Sequence, residues 1–394
     1  MSIIKTLGDT DLYKLTMGNV VAQHFPESTV TYALKVRSNV EWAASDVSNI
    51  KREISELGNK SFSKEELTYL EERCKYLPKP YLTLLKGIGL DPSHVDIWID
   101  DETKQLQATA KGLWFEEIYW ETMILPIISE CYFENRAQLT NVQLEEVYEK
   151  AKKKGQKFAE LNCSFIDMGT RRRRSFDTHD AVIQGLIDGA GEFFLGTSNI
   201  HFAGKYGKTC FGTMAHEMFS VVAAMYGVEN ANNIVLGKWA DTYHGNLGIA
   251  LPDTFTTDFF LKTFNPFYAK LFDGLRHDSG DPIEWAAKVI NHYKSIGIDP
   301  STKKAVFSDG ICSFAYIENL LNFTKGQLYS AIPGIGTWLT NDFDDMQALN
   351  IVMKVIEAQK NPFEPSRHAV KISDVPGKYM GDEQTIQDYL NRIA

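Results

Sequence analysis

Apolar positions in this chain fall into short blocks separated by polar clusters, with no long uninterrupted run. The block Val30–Val36 reads as a strand, and the charged stretch from Ser63 to Tyr76, closed by Pro78, reads as a helix. The pattern up to about Glu130 is otherwise mixed, and it contains no glycine-rich fingerprint. After Val142 a Lys- and Glu-rich segment running to Lys154 predicts another helix. From Cys163 the texture changes to brief apolar runs ending in Gly, Ser, Thr, Asp or Arg: 163–168, 192–195, 209–211, 248–251, 271–275, 305–307 and 328–332. Most are followed by a candidate helix, and such recurrence suits repeated βα units. Parallel strands with polar residues at their C-terminal ends suggest a (β/α) barrel whose chemistry sits in the βα loops. A doubly wound open sheet would give similar strings. The tail from Asn361, with Pro362, Pro365 and Pro376, reads as an irregular return segment, and Glu383–Ile393 reads as a helix.

At 394 residues, 44% hydrophobic and 23% charged, the chain has the composition of a soluble globular protein with room for one large domain and a smaller one. A formal charge of −10 argues against nucleic acid or an anionic membrane as the main ligand, although a local basic cluster can still hold a small anion. The five cysteines, Cys74, Cys131, Cys163, Cys210 and Cys312, are scattered, with neither metal-type spacing nor a CxxC pair. They read as reduced thiols. Without a signal-type start or a bilayer-length apolar run, the expected location is the cytoplasm.

The chemistry-bearing residues lie in the loops after the apolar runs. Gly212-Thr213-Met214-Ala215-His216-Glu217 sets an imidazole among small and polar residues; Glu217 either orients the ring or begins the next helix. The pair is not a zinc-protease motif, since HExxH would need histidine where Ser220 stands, and neither a GxSxG elbow nor a Walker A loop occurs. Gly169-Thr170-Arg171-Arg172-Arg173-Arg174 places four guanidinium groups after the first run of the series, enough for an anion pocket. Gly274-Leu275-Arg276-His277-Asp278-Ser279-Gly280-Asp281-Pro282 combines a fork for a carboxylate or phosphate with carboxylates for sugar hydroxyls or a Mg²⁺-bound water. Within it, Asp281-Pro282 also fits a helix cap. Ser308-Asp309-Gly310, read as opening a helix, and Pro333-Gly334-Ile335-Gly336-Thr337, read as following the next strand, look like phosphate cradles. The segments 196–199 and 241–246 add polar groups at what read as similar loop positions.

These motifs, with Thr10-Asp11-Leu12-Tyr13-Lys14-Leu15-Thr16-Met17 near the start, resemble in order and spacing the nicotinate phosphoribosyltransferase family over almost the whole chain. The resemblance implies an α/β fold: an irregular (β/α) barrel of the type II phosphoribosyltransferases, residues 136–344, plus a smaller α/β domain built from both chain ends, residues 1–135 with 345–394. It implies a homodimer in which the partner subunit contributes Tyr13. The implied reaction is displacement of pyrophosphate from Mg²⁺-bound phosphoribosyl pyrophosphate by nicotinate, a step of NAD salvage. ATP hydrolysis is coupled to it through a phosphohistidine that falls on His216. Tyr13 would stack on the pyridine ring, Thr213 and Arg276 would hold nicotinate, and Arg171 would meet phosphate. Ser308, Asp309, Gly310, Gly334, Gly336 and Thr337 would cradle the ribose 5-phosphate, with Asp278 near ribose or Mg²⁺; the contacts to Mg²⁺ and to the adenine of ATP stay open. Two positions depart from the family pattern: Met168 replaces the usual Phe before the Gly-Thr-Arg loop, and Met218 the Trp two residues after the histidine.

No general base is expected, because the ring nitrogen already carries its lone pair. The site must instead stabilise the leaving pyrophosphate and hold the nitrogen in line with C1. The nearest rivals are a nicotinamide or quinolinate phosphoribosyltransferase, a non-catalytic sugar-phosphate sensor and a basic-loop RNA-binding module.

Overall fold

The computed structural model describes residues 2–136 and 141–394. Four of the residues just after the expected domain boundary at 136, residues 137–140, lie outside the described residues. Twelve strands are formed among the described residues: β1 (Thr29–Val36), β2 (Val95–Ile99), β3 (Leu106–Leu113), β4 (Phe165–Asp167), β5 (Phe194–Thr197), β6 (Thr209–Cys210), β7 (Ile249–Ala250), β8 (Gly274–His277), β9 (Lys304–Phe307), β10 (Ser330–Ile335), β11 (Ile351–Gln359) and β12 (Arg367–His368). Each of the seven short apolar runs overlaps one of the strands β4 to β10. The chain divides into two compact units. The first comprises Met1–Asn19, Thr31–Gly212 and Ile335–Lys354, and the second Val20–Val30, Thr213–Gly334 and Val355–Ala394.

In the first unit β2 and β3 form an antiparallel pair, Val95 opposite Ala110 through Ile99 opposite Leu106. Strands β4, β5 and β6 are parallel, in the order β6-β5-β4. The helix Trp120–Glu134 buries nearly every side chain, Pro126 included. A helix apolar on all sides has no polar face to give it an amphipathic period, which is why its segment reads as mixed in sequence. The helix Asn141–Glu160 runs six residues beyond the predicted end at Lys154.

In the second unit β7 to β10 are parallel, in the order β10-β9-β8-β7. The pairing of β8 with β9 depends on glycine. Gly274 stands opposite Lys304, and a Cβ at Gly274 would run into the Lys304 carbonyl. Asp281 caps the helix Pro282–Ser295, accepting from the Ile283 and Glu284 amides at 2.9 Å each, with Pro282 at the first helical position. The helix His216–Tyr226 buries all its residues but the last, and the C-terminal helix spans Glu383–Ile393 as the sequence predicts.

Three local expectations change. No helix opens at Ser308: the chain makes a left-handed turn at Gly310, φ +69°, and the helix Phe314–Thr324 starts under a Ser313 cap. Pro333, Gly334 and Ile335 belong to β10 itself, and only Gly336 and Thr337 come after it. Asp241 to Tyr243 end the helix Val228–Tyr243, so the 241–246 segment is a helix terminus and not a loop after a strand.

Candidate active site

The polar residues of the second unit gather at the C-terminal ends of β7, β8 and β9, the edge where parallel α/β folds bind their ligands. His216 is the first residue of its helix and is only 5% exposed. Its Nδ1 lies 3.0 Å from Thr254 Oγ1, four residues beyond β7. Its Nε2 lies 2.8 Å from Oδ2 of Asp278, the residue just after β8, and 2.9 Å from Lys371 Nζ. Both ring nitrogens are thus engaged by groups other than Glu217, which takes its place in the first turn of the helix. Burial, and then the Lys371 charge, push the imidazole below its ordinary pKa against the pull of Asp253 and Asp278. The ring is therefore neutral at pH 7, with one lone pair to offer.

Asp278 is pinned through its other oxygen. Ser308 Oγ donates to Asp278 Oδ1 at 2.7 Å, and Arg276 Nη2 lies 3.4 Å from the same atom. Burial alone would raise the carboxyl, but Arg276, the His216 hydrogen bond and Lys371 together hold it well below the usual carboxylate range. Asp278 stays charged. Arg276 itself is loosely held: Asp278 is the acidic partner within reach among the described residues, and the buried Nε has no hydrogen-bond partner. A half-buried guanidinium with donors to spare calls for a planar anion.

The other expected residues of this unit sit around that centre. Thr213 Oγ1 donates to the Ile249 carbonyl at 2.8 Å. Asp309 Oδ2 pairs with Lys378 Nζ at 2.6 Å, and Lys378 also donates to the Asp278 carbonyl at 3.1 Å. Gly310 has open space on the side where a Cβ would stand. Gly334 is in the second unit, and Gly336 and Thr337 are in the first.

In the first unit Tyr13 and Arg171 share one carboxylate. Tyr13 OH donates to Glu121 Oε2 at 3.2 Å, and Arg171 Nη1 lies 3.6 Å from Glu121 Oε1. Glu121 also pairs with Lys14 at 2.9 Å and Lys354 at 2.7 Å. Burial works against its charge, yet Lys14, Lys354 and Arg171 draw its carboxyl well below the ordinary value. The four-arginine run is not a single anion pocket. Arg173 is fully buried and grips both oxygens of Asp9, at 2.6 and 2.8 Å. Arg174 pairs with Asp345 at 2.9 Å and lies over the rings of Phe133 and Phe343. Only Arg171 and Arg172 keep partly exposed side chains.

Several site residues carry no motif of their own. Asp253 and Thr254 lie in a turn, Lys371 in an isolated antiparallel bridge with Met380 and Lys378 at the end of the short 3-10 helix Pro376–Lys378, and no periodicity or spacing marks them before the chain folds. His216, Asp253 and Asp278 bring one ligand atom each within 4.8 Å of one another. The trio does not fit a resident metal ion, because the Lys371 ammonium, 2.9 Å from His216 Nε2 and 3.9 Å from Asp253 Oδ2, already supplies the cation there.

Comparison with known proteins agrees with this geometry. The family model described as the nicotinate phosphoribosyltransferase (NAPRTase) family matches residues 163–393, and the model of its N-terminal domain matches residues 9–129. The chain belongs to the nicotinate phosphoribosyltransferase family. A relative named nicotinate phosphoribosyltransferase from Chromohalobacter salexigens is 38% identical over 394 residues, covering 98% of this chain and 97% of its own. The crystal structure of nicotinate phosphoribosyltransferase from Porphyromonas gingivalis superposes with a TM-score of 0.95 at 35% identity, over 99% of this chain and 100% of that one. That from Vibrio cholerae gives 0.92 at 34%, over 99% and 94%. The fold is the α/β, irregular-barrel architecture of this family. Among the described residues no helix is long and apolar enough to cross a membrane.

Proposed function

We propose that this member of the family joins nicotinate to the ribosyl group of phosphoribosyl pyrophosphate, giving nicotinate mononucleotide and pyrophosphate, and that ATP hydrolysis is coupled through phosphorylation of His216. The observation that carries the acceptor assignment is Arg276, a guanidinium whose acidic contact among the described residues is a loose one, 3.4 Å to Asp278, where Arg173 and Arg174 have carboxylate partners at 2.6 and 2.9 Å. The carboxylate of nicotinate supplies what that fork lacks. A hydrogen bond to a charged group contributes roughly 1.5–3 kcal/mol, about a 10- to 150-fold preference over the amide of nicotinamide.

In this reading Asp278 works as a permanently charged group beside the ribose, where positive charge develops at C1 as pyrophosphate leaves. Ser308 and Arg276 hold it in place. Thr213 would assist Arg276 in seating nicotinate, and Tyr13, contributed by the partner of a homodimer, would stack on the pyridine ring. Arg171 would meet phosphate, and Ser308, Asp309, Gly310, Gly334, Gly336 and Thr337 would receive the 5-phosphate. Mg²⁺ would arrive bound to the phosphates of phosphoribosyl pyrophosphate and ATP. His216, neutral and at a helix N-terminus, is suited to accept a phosphoryl group whose charge that terminus favours. The five cysteines are free thiols, which supports a reducing compartment, and we assign the protein to the cytoplasm.

Arg276→Ala tests the acceptor assignment. The Michaelis constant for nicotinate should rise at least about tenfold, and far more than that for phosphoribosyl pyrophosphate. Equal effects on the two constants reject the role.

A further inference from the structure

The two neighbours of His216 Nε2 make opposite demands on it. Asp278 Oδ2, at 2.8 Å, is a charged carboxylate and can only accept a proton from the ring. Lys371 Nζ, at 2.9 Å, is an ammonium and can only donate to a bare nitrogen. One nitrogen cannot serve both at once. At Nδ1 the partner is the Thr254 hydroxyl, which donates or accepts equally well and so does not decide the matter.

We propose that Lys371 is a positioning residue that sets the tautomer of His216. When its ammonium donates to Nε2, the ring proton sits on Nδ1 and points at Thr254. The one lone pair of the neutral ring is then covered, and the histidine is at rest. When the ammonium leaves, the Nδ1 proton is released to water and Nε2 takes one up from water; the new Nε2–H donates to Asp278, and the lone pair appears on Nδ1.

The structure provides the second seat for the ammonium. Lys371 Nζ lies 3.9 Å from Asp253 Oδ2, and the buried Oδ1 of the same carboxylate has no hydrogen-bond partner. Asp253 is itself fixed by the Ser279 hydroxyl at 2.5 Å. The backbone around Lys371 is held on both sides. Lys371 and Met380 exchange amide hydrogen bonds of 2.9 Å, and the Ile372 and Ser373 amides donate to the Thr254 carbonyl at 2.9 and 3.1 Å. The move is therefore a swing of the side chain, not of the segment.

The consequence for catalysis rests on the reading of His216 as phosphoryl acceptor. The Nδ1 lone pair would attack the terminal phosphorus of ATP and form the N–P bond. The P–O bond to ADP breaks with its electron pair on the ADP oxygen, and the Nε2 proton stays in place against Asp278. An anion drawing Lys371 off Nε2 would thus arm the ring only when phosphate is present.

The test reads the ring directly and needs no turnover. In protein labelled with ¹⁵N-histidine, the His216 signals, assigned by their loss in His216→Asn, are followed by long-range ¹H–¹⁵N correlation at pH 7. The wild type should have a protonated Nδ1 and a bare, pyridine-like Nε2, and Lys371→Met should exchange the two signatures. A wild-type ring already protonated on Nε2, or a tautomer unchanged in Lys371→Met, overturns the proposal. The wild-type spectrum decides even where the variant does not fold. Phosphoryl transfer is measured separately, as acid-labile label from ATP, so failure of that reading leaves the tautomer result standing.

Discussion

A buried charge is informative in proportion to what it lacks. Arg173 grips both oxygens of Asp9 with its two terminal nitrogens, and cutting such a pair typically leaves one buried ion uncompensated. Arg173 and Arg276 both keep a buried Nε without a partner, and what sets Arg276 apart is that its terminal nitrogens have one acidic contact among the described residues, 3.4 Å to Asp278, which leaves the fork open to a ligand. Residue type and loop composition give both residues the same charge in similar polar surroundings, and only the family resemblance singled out Arg276; the different pairing of the two is a product of the fold. His216 and Asp278 were legible, because each sits in a loop dense with glycine and polar groups; their partnership was not, since 62 positions separate them. The phosphoryl-acceptor role makes one demand on His216. His216→Asn should abolish the stimulation of turnover by ATP while leaving slow ATP-independent synthesis, measured as nicotinate mononucleotide formed with and without ATP. ATP coupling equal to that of the wild type would remove the histidine from the phosphoryl path.

The elements that carry the site were readable from short apolar runs, and their boundaries less so. Strands β4 to β10 are two to six residues long; a run of that length has no telling periodicity, but its brevity and the polar residues that close it favour a strand over a helix. The loop after a strand is harder to read. Ser308 looked like a helix cap because it precedes Asp309-Gly310, but the left-handed Gly310 delays the helix until Ser313 can cap it. Lysines 371 and 378 act from a tail whose prolines mark it only as irregular, and their partners are settled by tertiary packing. Within the sheet, Gly274 is the tightest point: any side chain there meets the Lys304 backbone, which cannot swing aside as a flexible side chain would. Gly274→Ala should therefore cost about 1–3 kcal/mol of stability or more, as overpacking does. The loss should be visible as a lower urea midpoint with an unchanged slope. A midpoint equal to that of the wild type would mean that β8 and β9 are not in the close register that sets Asp278 beside Ser308.

At the scale of the whole chain, fold and family were legible because several motifs occur together in a fixed order. Each alone is weak, and the glycine pairs especially so. Family matches spanning residues 9–129 and 163–393, with relatives aligned over nearly the full length, place both parts of this chain in the family. The most direct measurement supplies the purified protein with phosphoribosyl pyrophosphate, Mg²⁺ and ATP, offers nicotinate, nicotinamide or quinolinate in turn, and quantifies mononucleotide and pyrophosphate. With Arg276 as the carboxylate's partner, nicotinate should give one pyrophosphate per mononucleotide, with kcat/KM at least about tenfold above that for nicotinamide. Equal or better use of nicotinamide or quinolinate, or no pyrophosphate from any of the three, would contradict that assignment.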